Sequence, residues 1–261
     1  MSTSEFVYNG RATRVVFGSG SRAHVEREVQ ALQAQRALVL CSPEQRALGS
    51  SVAEQLGARA AGVFDRAVMH VPVELVAEAR AVVASLNVDC VIAVGGGSAI
   101  GLAKAIALET SLPILAVPTT YAGSEMTPIF GLTDAGLKRT GTDLRVLPKT
   151  VVYDPDLTLT LPVGMSVTSG INAIAHAAEG LYSRDANPLT SLMAEEGIAA
   201  LARANGAPVA LKEIGMREEQ LDEAADIACN NAYWNPRPLE REAIRALLQR
   251  AFDGSAPKDG L

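Results

Sequence analysis

A nearly continuous apolar run, Val88 to Val94, passes directly into Gly95, Gly96, Gly97 and Ser98, and a helical pattern follows from about Ala99 to Glu109. An apolar run of strand length without alternation marks a strand covered on both faces, as in the middle of a parallel sheet. Glycines after such a strand let the backbone pass close to another group. The N-terminus of the next helix then offers free N–H groups and a favourable dipole to an anion. This order restricts the chain to an α/β fold and predicts either phosphate binding or a tight turn. The spacing departs from the common dinucleotide fingerprint, since Ile100 stands where a third spaced glycine would fall.

The rest of the first half repeats the strand, loop and helix order. Thr13–Phe17, Arg36–Cys41, Ala58–Phe64 and Pro113–Val117 read as further strands. Helices are expected from Ser21 to about Gln35, after the cap and first-turn pair Ser42 and Pro43, and from Pro72 to about Leu86. Between Met126 and Tyr153 the texture becomes strand-like pieces broken at Asp134, Ala135, Gly136 and Pro148, which predicts a hairpin or edge excursion. Strands cease after Asp154 and Pro155, and helical patterns alternate with breakers at Gly164, Pro188, Gly206, Gly215 and Pro236. The expected organisation is an α/β dinucleotide-binding domain with a mostly parallel, doubly wound sheet over residues 1–160, then an all-helical domain over 161–261.

Composition narrows the partners. A net charge of −6 argues against a phosphate-backbone surface, so nucleic acid is not expected. No apolar run reaches the roughly 18 residues of a spanning helix, and no basic-then-apolar leader opens the chain, so no membrane is expected and a cytoplasmic location is. Cys41, Cys90 and Cys229 are far apart and lack metal-ligand spacing, as reduced thiols would be.

Three further clusters carry chemistry. Thr119, Thr120 and Ser124 follow the strand Pro113–Val117, placing hydroxyls at the sheet edge where ligands of open α/β sheets bind; capping of a turn is the alternative. Both loops at one edge favour a dinucleotide. Asn172, His176 and Glu179 share a helical stripe beside an apolar face of Ile171, Ile174, Ala178 and Leu181, so an amide and an imidazole lie one turn apart near the core, suited to a substrate, a metal or a structural role. Lys138, Arg139, Arg145 and Lys149 against Asp143 make a locally positive segment, either a lip for an anionic substrate or a solvated basic face.

Gly95–Ser98 with Lys104, the run Pro118–Ile129 (PTTYAGSEMTPI) and Thr168–Glu179 (TSGINAIAHAAE) resemble the iron-containing alcohol dehydrogenase superfamily, with its dehydroquinate synthase-like fold. Val71–Glu74 after Met69 and His70, with Tyr121 and Asn172, narrow the likeness to the maleylacetate reductases. It extends from about Phe6 to Ala204 and resumes from about Asn205 to Gly254, including Asn235–Pro238. The resemblance implies an oxidoreductase that reduces maleylacetate, a small dicarboxylate, to 3-oxoadipate with NADH or NADPH in aromatic-compound degradation, as a homodimer. Ser42, Gly95, Gly96, Gly97, Ser98, Thr119, Thr120 and Ser124 would hold the cofactor. His176, Asn172 and Lys138 would act on the substrate.

Three departures from the family follow. Metal-dependent relatives carry a carboxylate where Asn172 stands, so no catalytic metal is expected. Ser42 replaces the acid of NAD-selective relatives, so both nucleotides are admissible. The family also continues after the helix ending near Ala204 with helices bearing more histidines, and this chain passes instead to a much later part of the family's sequence. A non-catalytic nucleotide-binding remnant is therefore an alternative, as is a metal-dependent polyol dehydrogenase or a dehydroquinate-synthase-like lyase, against which Asn172 argues.

Overall fold

The computed structural model describes Phe6, Tyr8, Gly10 and residues 13–134, 136–184, 186–204, 211–214, 216–230 and 240–254. Its elements are β1 (Arg14–Phe17), α1 (Val25–Ala31), β2 (Ala37–Leu40), α2 (Arg46–Leu56), β3 (Ala60–Phe64), α3 (Val73–Ser85), β4 (Cys90–Gly95), α4 (Gly97–Thr110), β5 (Ile114–Pro118), β6 (Ile129–Asp134), β7 (Leu137–Thr142), β8 (Thr150–Tyr153), α5 (Val163–Tyr182), α6 (Pro188–Ala204), α7 (Gln220–Asn230) and α8 (Arg241–Asp253). Contacts divide the chain into two compact units, Asn9–Ser169 and Gly170–Leu261, the latter with Met1–Tyr8.

The first unit is built on a six-stranded sheet in the order β1-β8-β5-β4-β2-β3, with every pairing parallel. Side chains alternate faces along each strand, and the core obeys that period. Leu38, Leu40, Val91 and Ala93 join one buried cluster with residues of α3 and α4. Ala37, Val39, Cys90, Ile92 and Val94 join the other with Val25 and Val29 of α1 and Val52 and Leu56 of α2. The sheet is doubly wound, as expected.

The segment after β5 divides differently from the expectation. β6 and β7 form an antiparallel hairpin with Thr133 opposite Lys138. β8, however, is an interior strand, pairing with β1 on one side and β5 on the other. Four residues, Thr-Val-Val-Tyr, are too few for periodicity to separate an edge piece from a buried strand; the pairing with β1, Arg14 to Thr150, decides it.

From α5, which crosses the boundary between the two units, through α8 the described residues contain no strand. Gly164 does not break the chain: it lies in the first turn of α5, right after Pro162, whose ring ends the preceding segment. Gly206, Gly215, Pro236 and the junction after Ala204 lie outside the described residues.

Candidate active site

The topology fixes where a ligand can bind. From β2 the chain goes outward to β3, whereas from its neighbour β4 it goes the other way to β5, so strand order reverses between β2 and β4. In open α/β sheets the crevice beyond the carboxyl ends at such a reversal is the ligand site. Ser42 follows β2 there, and Gly95–Ser98 follows β4.

The glycine loop has the backbone its sequence requires. Gly95 has φ +141, a conformation that side-chain-bearing residues rarely adopt. Gly96 caps α4 in extended geometry, and its carbonyl accepts the first helical bond, from Ile100 N at 3.2 Å. Gly97 is exposed and Ser98 half-buried at the start of the helix, so their N–H groups open on the crevice side of the sheet.

The threonine loop shares this rim. Gly95 pairs with Pro118, and Thr119 N donates to Gly95 O at 3.1 Å. A Cβ added at Gly96 would meet Thr120 Cγ2 at 2.9 Å and Oγ1 at 3.0 Å, so only a glycine lets the two loops close on each other. Thr119 is buried, Thr120 half-buried, and Tyr121 exposed with its hydroxyl donating to Thr158 Oγ1 at 3.1 Å.

Beneath these loops lies an arrangement that the sequence does not announce. Lys104 on α4 is buried, and its Nζ donates to Ser124 O at 2.6 Å, Ile129 O at 2.7 Å, and Thr127 O at 2.8 Å, with Thr127 Oγ1 at 3.2 Å. Burial lowers its pKa to about 8, partly opposed by the carboxylate of Glu125. Glu125 is itself buried; its Oε1 accepts from Tyr153 OH at 2.7 Å, while Oε2 has no hydrogen-bond partner. Burial and this bond raise the Tyr153 phenol far above its ordinary value.

On α5, His176 and Asn172 are exposed one turn apart, and His176 Nδ1 lies 3.1 Å from Glu179 Oε2. A carboxylate on one ring nitrogen fixes the imidazole's orientation and leaves the other nitrogen for a reactant. The apolar stripe beside them is only partly covered: Ile174 and Ala178 are half-buried, whereas Ile171 is 63% exposed and Leu181 37% exposed. No residue of α5 is fully buried.

Lys138 stands on β7, its side chain outside the described residues. The positive segment is weaker than its composition suggests, because Arg145 is closed on Asp143 by bonds of 2.7 to 3.1 Å, holding that carboxyl below the usual range. Cys41 and Cys90 are buried thiols, with burial pushing the first up to about 11 and the second to about 12, so neither is a ready nucleophile.

The sequence model of the iron-containing alcohol dehydrogenases matches residues 12–155, and that of the family's C-terminal part matches residues 195–252. The chain belongs to the iron-containing alcohol dehydrogenase family. It is 43% identical to a maleylacetate reductase of Burkholderia cepacia across 97% of this chain and 99% of that protein, and 58% identical to one of Sphingobium indicum across 76% of this chain and 56% of that protein. A solved maleylacetate reductase of a Rhizobium species superposes with a TM-score of 0.75 at 37% identity, covering 97% of this chain and 99% of that one. The Burkholderia alignment runs over 348 positions against 261 residues here, so at least 87 of its positions have no counterpart in this chain.

Membership corrects one expectation. The family is described as iron-containing, so a metal belongs to the expected complement of this chain, contrary to the inference from Asn172. An amide in place of a carboxylate removes charge, yet it keeps an oxygen donor one turn from an imidazole, which suits iron. Among the described residues, no group of three or more His, Cys, Asp or Glu side chains could hold a metal. These residues do not by themselves complete such a site.

Proposed function

We propose that this chain reduces the carbon–carbon double bond of maleylacetate to give 3-oxoadipate, using NADH or NADPH, in aromatic-compound degradation. The observation that carries it is the closure of the glycine and threonine loops over the strand reversal, in a chain 43% identical to a maleylacetate reductase along nearly its whole length.

Gly95, Gly96, Gly97 and Ser98 take the pyrophosphate on backbone N–H groups at the start of α4, and Thr119, Thr120 and Ser124 lie along the nucleotide. Ser42 stands beside the adenosine ribose and lacks the charge that would repel a 2′-phosphate, so both nucleotides are accepted. A reduced nicotinamide held by these loops would supply the hydride that one alkene carbon needs. His176, held by Glu179, supplies the proton for the neighbouring carbon, with Asn172 bonding a carboxylate or carbonyl oxygen and Lys138 attracting the dicarboxylate. We place the enzyme in the cytoplasm as a homodimer, in keeping with its free buried thiols. Loss of reduced-nicotinamide absorbance on adding maleylacetate tests the activity; no turnover above background rejects it.

The 87 or more unmatched positions favour a second reading, a nucleotide-binding protein without catalysis. Saturable NADH binding with no turnover is its signature.

A further inference from the structure

We infer that Lys104 is a positioning residue for cofactor binding: its buried ammonium ties the helix that starts at the glycine loop to the backbone just beyond the threonine loop, and so sets the gap between them. The inference rests on the reading of those loops as the nucleotide site. An ammonium has three protons, and three carbonyls converge on it, those of Ser124, Thr127 and Ile129, at 2.6 to 2.8 Å. They belong to the residues that end the threonine loop, turn through Ser124–Met126 and enter β6. Lys104 itself stands seven residues into a helix whose first residue is Gly97, two turns below the pyrophosphate-binding end. No apolar side chain can replace this contact, because each carbonyl would lose its donor away from water.

The turn is held from the other side as well. Tyr153 on β8 donates to Glu125 Oε1, so Ser124–Met126 is fastened both to α4 and to the sheet. Glu125 is the charged group that bears on Lys104. The other elements packed on α4 contribute Arg145, tied to Asp143, Arg80, tied to Glu109, Glu78, tied to Arg66, then Glu74 at the start of α3 and Asp134 at the end of β6; β2, β4 and β5 carry no charge.

Isothermal titration of the full chain with NADH, for wild type and Lys104→Met, tests this. The expected result is a dissociation constant raised at least about tenfold, with kcat at saturating NADH within about threefold of wild type, the split that separates cofactor positioning from damage to chemistry. Equal affinity in both proteins overturns the inference and leaves the loop assignment standing. Absence of binding by wild type removes both.

Should Lys104→Met fail to fold, wild type decides by itself. Raising the pH through about 8 takes one proton from the ammonium and one donor from the carbonyls. NADH affinity should fall at least about fivefold between about pH 7 and pH 10. Between the folded value of about 8 and the ordinary 10.5, the unfolded chain binds more protons at this residue, so its own contribution to stability rises with pH. Weakened binding in that window, with denaturation midpoints that do not fall in parallel, is the mark of positioning; flat affinity overturns it.

Discussion

The two halves of this chain handle apolar surface in opposite ways. In the α/β unit, Ile92, Val94, Leu115, Val117 and Val152 are wholly buried on one face of the sheet, and Leu38, Leu40, Val91 and Ala93 are wholly buried on the other. In the helices that follow, Val163, Ile171, Leu192 and Met193 are 58% to 79% exposed, and no residue of α5 is fully buried. The Burkholderia relative has at least 87 positions that this chain lacks. A nucleotide site at the end of a sheet needs only the sheet and its own helices. A substrate site formed by helices needs enough of them to cover one another. Nucleotide binding should therefore survive in this chain more fully than catalysis.

The contrast in packing can be broken by a pair of substitutions. Ile92→Ala, which empties space in a closed core, should cost about 2–5 kcal/mol in denaturant unfolding. Ile171→Ala on exposed α5 should fall within about 0.5 kcal/mol. Equal costs would mean that the helical unit is as well packed as the sheet.

Next in size is the rim itself. Gly96→Val forces a branched side chain against Thr120 and should weaken NADH binding about a hundredfold, roughly 2.7 kcal/mol, while circular dichroism stays unchanged. Unaltered affinity would separate the loops from the nucleotide. In the helical unit, His176→Ala should lower kcat about a hundredfold and leave the NADH dissociation constant alone. If both parameters move together, His176 supports the fold rather than the chemistry. The smallest effect is expected from Ser42→Asp, which should raise the KM for NADPH about tenfold relative to that for NADH. An unchanged ratio would remove Ser42 from the ribose pocket.

What the sequence could reveal followed from how local each signal is. The strand Cys90–Gly95, its glycines and the helix after them are written in consecutive residues, and the structure places them with the threonine loop at one edge, as the residues implied. β8 was legible as strand-like but not as interior, because its neighbours are Arg14–Phe17 at the start of the chain and Leu115–Ala116 in β5. Lys104 is the sharper case. A lysine in the middle of a mostly apolar helix suggests a solvated face, and the carbonyls that bury it lie 20 to 25 residues further along the chain. The apolar stripe of α5 is local too, yet the structure covers it only in part, since a stripe says which side wants a partner and not whether the chain supplies one. The metal is no more local: a single amide at position 172 does not carry the requirement that membership of an iron-containing family brings.

Titration of the full-length chain with NADH in a calorimeter tests the central claim most directly. Saturable binding of one nucleotide per chain, abolished or greatly weakened in Gly96→Val, is the predicted result. A wild-type chain that is folded by circular dichroism and gives no saturable heat with NADH or NADPH would contradict it.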